Sequence, residues 1–120
     1  MAGVLWVPDR RDVIYIDHSP HMGDEMPGEH PMLVLSTKAF NDRTSIVIGL
    51  PMTHSPMNAS NPFAVKLTVK KGTADSYVLA HQPKSFDWRA RTARPHPMGQ
   101  ASLVDFQDCC DRLNAIISIC

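Results

Sequence analysis

Short apolar runs rich in β-branched residues alternate along this chain with long polar breaks, and only the last segment changes period. Val13-Ile14-Tyr15-Ile16 follows the charged run Asp9-Arg10-Arg11-Asp12 and predicts a first strand, because β-branched and aromatic side chains suit a pleated, half-buried surface. His18 to Pro31 holds three prolines and two glycines, too many breakers for regular structure, and reads as a surface loop. Met32-Leu33-Val34-Leu35 restarts as a buried strand. Residues 36–43 can close one short helical turn, and Ser45 to Leu50 is a third strand, stopped by Pro51. Met52 to Pro62 is a second long loop. Phe63 to Val69 alternates apolar with small or polar residues, the mark of a strand with one buried face. Lys70 to Thr73 turns the chain, and Tyr77-Val78-Leu79-Ala80 is the expected partner strand.

After this the period changes. Leu103, Phe106, Cys110, Leu113 and Ile117 recur at three or four residues, the stripe of an amphipathic helix. Ser102 is a natural N-cap for it, and Asp105 completes a capping box with Asp in place of Glu. Several short strands followed by a terminal helix predict a mainly β fold: a small, strongly curved barrel with the helix packed on it.

The length of 120 residues fits one domain, residues 1–120, whose core needs no disulfide or metal staple. Formal net charge is zero, so any contact with nucleic acid must come from a local basic patch. The three cysteines, Cys109, Cys110 and Cys120, are odd in number and two are adjacent, which is no disulfide framework. They read as reduced thiols of a cytosolic protein. No basic-then-apolar leader and no apolar run of about eighteen residues is present, so the expectation is a soluble, cytoplasmic protein with no membrane partner. His18 and His21 have superficial metal spacing, but Pro20 lies between them and no second ligand pair exists. They are expected to be solvated loop histidines, and no metal or other cofactor is expected.

Taken in order, several blocks point further. Val7-Pro8-Asp9 precedes Asp12 to Asp17; Gly23-Asp24-Glu25 leads to Gly28-Glu29-His30-Pro31; Leu50-Pro51-Met52-Thr53 is followed by Asn61-Pro62-Phe63. Gln82-Pro83-Lys84-Ser85-Phe86-Asp87-Trp88-Arg89-Ala90-Arg91 is close to a QVKS-hydrophobic-x-WRAR signature. This ordered set, from Val7 nearly to the end, resembles the MazF/PemK toxins. The resemblance implies an SH3-like small curved barrel of the MazF/PemK/CcdB type with a C-terminal helix. It also implies a homodimer, a cognate antitoxin protein as partner, and sequence-specific cleavage of single-stranded RNA (mRNA) without metal. Such cleavage leaves a cyclic phosphate and a 5′-hydroxyl.

Metal-free RNA cleavage requires a base for the ribose 2′-hydroxyl, an acid for the leaving 5′-oxygen, and donors for the phosphoryl oxygens. The resemblance places this work on His30, Thr53 and Glu25. Thr53 matches the family's threonine after the third strand. His30 stands where the family has arginine: imidazole can move protons near neutral pH, but it lacks arginine's permanent charge and two-pronged grip on phosphate. Glu25 matches an acidic position of the first loop. His54, Ser55, Gln82, Lys84 and Ser85 are the expected RNA-binding residues, with His54 a candidate to offset the lost arginine. His81 and Pro83 also depart from the family pattern. Trp88 reads as a core or dimer anchor, with Arg89 and Arg91 projecting to one side of a strand. Two other readings compete with a ribonuclease: a weakened or inactive homologue that keeps its antitoxin, and a gyrase-poison-like binding protein on the same fold.

Overall fold

The computed structural model describes residues 5–19, 28–68 and 72–118. Its elements are β1 (Asp12–Asp17), β2 (Glu29–Val34), α1 (Lys38–Thr44), β3 (Ile46–Thr53), a 3-10 turn (Pro56–Ser60), β4 (Ala64–Lys66), β5 (Tyr77–Leu79), β6 (Lys84–Asp87), β7 (Arg94–Gln100) and α2 (Leu103–Ile116). All strand pairs are antiparallel, in the order β4-β5-β3-β2-β1-β7, with β6 also on β3. The long strand β3 is shared. Its first half pairs with β6, its end with β5, and its middle with β2. Serving three partners curls the sheet into a half-barrel.

Both faces of this sheet are covered, and strand alternation sorts the side chains between them. One face carries Val13, Leu33, Leu50, Met52, Val65 and Val78, onto which α2 lays Phe106 and Cys109, with Cys110 and Leu113 packed beside them. The other carries Ile14, Ile16, Met32, Val34 and Val47, closed by Trp88 with Trp6, Val7 and Phe86 around it. Each fully buried aliphatic or methionine side chain contributes roughly 1.5–3 kcal/mol. At Gly49, where β3 lies between β2 and β6, a Cβ would stand 2.5 Å from the Leu33 carbonyl oxygen and 2.8 Å from the Met32 Cγ. The strands approach this closely only because the side chain is absent.

The expected helix is present with its N-cap: the Ser102 hydroxyl accepts the Asp105 N–H at 3.1 Å. The capping box is only half built, because the Asp105 carboxylate accepts the Thr68 N–H at 2.8 Å and so ties α2 to the end of the β4 segment. The short helical turn is α1, capped by Thr37 and closed by Ser45 in the left-handed region at φ 62°. Several expectations change. Pro51 does not stop β3, which runs through it to Thr53 with Pro51 paired to Met32, and β2 begins at Glu29, inside the expected loop. Arg89 and Arg91 do not lie on a strand but in the turns spanning 88–92, where Asp87 accepts the Arg89 and Ala90 N–H groups. Residues 94–100, left without a strand by the pattern, form β7. Its two prolines are tolerated because β7 pairs only with β1, at the sheet edge.

Candidate active site

Register and alternation locate the candidate residues. The β2–β3 ladder pairs Met32 with Pro51 and Leu33 with Leu50. Carried two residues past its last pair, this register aligns position 30 with position 53. By strand alternation both fall on the side of Met32, Val34 and Val47 rather than the face under α2, at the point where β3 leaves β2 and Thr53 pairs with Tyr77 of β5. On β6, Lys84 pairs with Gly49 and Phe86 with Val47, so Lys84 and Phe86 belong to the same face. One apolar core face therefore ends in a polar margin of His30, Thr53 and Lys84. Ser85 alternates away: it is exposed and pairs with Ile48, itself 39% exposed.

His30 is half-buried on β2, opposite Ile16. Beneath it lies His18, which is not a solvated loop residue. Only 3% of it is exposed. Its N–H bonds the Gly28 carbonyl at 2.7 Å, and the Gly28 N–H returns to the Ser19 hydroxyl at 2.9 Å. The His18 ring stands edge-to-face to His30, with centroids 6.0 Å apart, and to Phe86 at 5.2 Å. Among the described residues, neither of its ring nitrogens has a hydrogen-bond partner. Such a group costs about 1–3 kcal/mol when buried. Burial pushes its pKa down from 6.5 to about 4, helped by the charges of His30 and Lys84, while the nearby His30 main chain acts weakly the other way. His18 is thus a neutral imidazole at working pH.

The Thr53 hydroxyl accepts the Ser55 N–H at 3.1 Å. That bond fixes the side chain and leaves its hydrogen free to donate. It is also the local backbone bond expected of an ordinary loop threonine. Ser55 itself is half-buried and opens the 3-10 turn without a side-chain cap bond. His54 is exposed and turned elsewhere: its Nδ1 faces the Asp75 carbonyl at 2.8 Å, which makes Nδ1 the protonated nitrogen, since a carbonyl only accepts. Its charge is felt by His96 on β7, whose pKa is lowered by burial first and then by His54 and Arg94. His96 is tilted against Tyr15 at 4.5 Å, and Arg94 stacks on Tyr15 while pairing with Glu29 at 2.6 Å. The structure therefore does not bring His54 to His30.

Gln82 is half-buried in the β5–β6 turn, its amide nitrogen 3.3 Å from the His81 Nε2. Trp88 is buried and donates its indole N–H to the Asn41 carbonyl at 2.8 Å, the behaviour of a core anchor. Arg89 stacks on that indole and pairs with Asp42 at 2.8 Å. Arg91 stacks on Phe86 and donates to the carbonyls of Asp17 (2.8 Å) and Ser19. It thereby pins the end of β1 beside His18. Sequence reasoning missed both His18 and this clamp; the Asp17-His18 step directly after a strand was the available signal. Glu25 and His21 lie outside the described residues. Among the described residues, no three His, Cys, Asp or Glu side chains converge as a metal-binding group, and no helix is long and apolar enough to cross a membrane.

Comparison with known proteins gives a consistent picture. The model of a family described as PemK-like, MazF-like toxin of type II toxin–antitoxin system matches residues 9–117. An endoribonuclease toxin MazF from Escherichia coli (strain K12) is 38% identical over 88 residues, which is 73% of this chain and 76% of that protein. The crystal structure of MazF (form I) from Deinococcus radiodurans superposes with a TM-score of 0.83 at 29% identity, covering 95% of this chain and 99% of the other. That of MazE-MazF (form III) from the same organism gives 0.79 at 28%, covering 96% and 100%.

Proposed function

Because this chain belongs to the PemK-like, MazF-like toxin family of type II toxin–antitoxin systems, we propose that it is an endoribonuclease toxin that cuts single-stranded RNA without metal. The observation that carries this reading is the shared face of His30, Thr53 and Lys84: a proton-transfer group, a hydroxyl donor and a cation across one margin of the sheet. The 2′-oxygen attacks its neighbouring phosphorus, the bond to the 5′-oxygen breaks, and a cyclic phosphate and a 5′-hydroxyl result. Little covalent help is needed, because the nucleophile is already tethered in the substrate. His30 takes the 2′-hydroxyl proton, solvent water supplies the proton that makes the leaving 5′-oxygen a hydroxyl, and Thr53 and Lys84 donate to the phosphoryl oxygens as charge builds there.

A cognate antitoxin, as the relative MazE-MazF suggests, would block this margin with an acidic, extended segment. A homodimer acting in the cytoplasm completes the reading.

The test is cleavage of a long single-stranded RNA in excess EDTA by wild type, His30→Arg and Thr53→Ala. Specific cuts by wild type, reduced about a hundredfold in Thr53→Ala as for loss of one oxyanion donor, are the expected result. Cuts by His30→Arg alone would identify a weakened homologue. No cuts by any variant would refute the ribonuclease reading.

A further inference from the structure

We propose that His18 is a positioning residue for His30: when His30 takes a proton, an unpartnered ring nitrogen of His18 accepts the His30 N–H that faces away from the RNA. The inference rests on the reading of His30 as the proton-transfer group.

An imidazole that gains a proton at one nitrogen presents an N–H at the other, and an acceptor there fixes tautomer and ring angle. The surroundings of His18 leave it suited to this and to little else. From β2 it meets His30. From β6 it meets Phe86 and feels the Lys84 charge, and from the following turn it feels Arg91. On its own strand, an Asp17 carboxylate oxygen accepts the Ser19 N–H. Lysine and arginine carry only donors, so they keep the His18 lone pair unprotonated without competing as acceptors. Burial acts in the same direction.

Among the described residues, nothing satisfies either nitrogen of a ring that is almost wholly enclosed. A phenylalanine would fill the same space against Phe86 without leaving polar atoms unpaired. The nitrogens therefore have a use in another state of the site, and the adjacent proton-transfer group supplies it. With centroids 6.0 Å apart and ring planes at 86°, an N–H···N bond of about 2.9 Å requires the rings to close by about 1 Å. No proton passes to His18. The one taken from the ribose stays on His30, and only its second N–H is shared.

The experiment is an NMR titration of the histidine rings in wild type, His18→Phe and His18→Asn, with cleavage kinetics on the same proteins. His18→Phe keeps the aromatic packing and removes the acceptor; His18→Asn returns an amide oxygen. The expected result is a His30 midpoint about one pH unit lower in His18→Phe, partly restored in His18→Asn, because the protonated ring has lost its acceptor. In cleavage, kcat falls about tenfold in His18→Phe with KM within twofold.

An unchanged His30 midpoint overturns the proposal, as does a loss confined to KM, which would make His18 an RNA contact. Should His18→Phe fail to fold, the wild-type ring nitrogens carry the test: a His18 nitrogen resonance must move with the His30 midpoint, and its failure to move overturns the idea. A titration shift in a protein that cuts no RNA would support the pair and sink only the functional reading.

Discussion

Enclosing His18 as a neutral ring has a thermodynamic consequence that does not depend on catalysis. In the unfolded chain this imidazole titrates at the ordinary 6.5, and in the folded protein at about 4. Below 6.5 the unfolded state binds a proton that the folded state refuses, so acid favours unfolding. The contribution is fully present above pH 6.5 and is lost as pH falls towards 4. Integrating between these two values gives a loss of about 2 kcal/mol on going from about pH 7.5 to about pH 5, and about 3 kcal/mol by about pH 4.

Urea unfolding of wild type and His18→Phe at several pH values in this window is the assay. With a slope of about 1.5 kcal/mol per molar urea, the wild-type midpoint should fall by about 1.3 M more than that of the variant by about pH 5. His96, also lowered by burial, has the same sign but is common to both proteins and cancels in the difference. Asp17 is lowered chiefly by its hydrogen bond from the Ser19 amide, a contact that the substitution leaves in place. Parallel pH dependence in the two proteins would refute the reasoning, since it would mean that folding does not hold the His18 ring neutral.

Two further outcomes follow from packing. Gly49→Ala should destabilise by about 2–3 kcal/mol, because its Cβ would meet the Leu33 carbonyl, which is backbone and cannot swing aside; a urea midpoint within error of wild type would show that β2 and β3 can part cheaply. Trp88→Phe should cost about 1–2 kcal/mol for the lost indole bond to Asn41 and its reduced contact, and unfolding at an unchanged midpoint would remove Trp88 as an anchor.

What could be read from the sequence was whatever depends on local period. The α2 stripe, its Ser102 cap and the apolar runs of β1, β2 and β3 each announce themselves within a few residues, and the blocks around them carry the resemblance to the toxin family. β7 did not, because Pro95 and Pro97 signal a break unless the strand is known to lie at an edge, and edge position is a property of the whole sheet. Arg89 and Arg91 were misjudged for the related reason that a tight turn and a strand can both follow Phe86-Asp87.

At the candidate site the residue types were legible, but their assignment to faces was not. His30, Thr53 and Lys84 fall on one face through two strand registers, β2 on β3 and β6 on β3, while the neighbours Ser85 and His54 turn elsewhere. His18 looked like the start of a loop. Its burial depends on Phe86 and Arg91, which lie about seventy residues further along the chain.

The edge-on pair formed by Trp6 and Trp88, 5.9 Å between ring centres, has a practical use in the laboratory. These are the only two tryptophans in the chain, and both belong to the apolar cluster that also holds Phe86, the ring against which His18 packs. Ultraviolet emission from the protein consequently reports on that half of the interior and hardly at all on the half beneath α2. Any binder or substitution that disturbs the face bearing the candidate site will show in the colour and intensity of this light, with no dye attached.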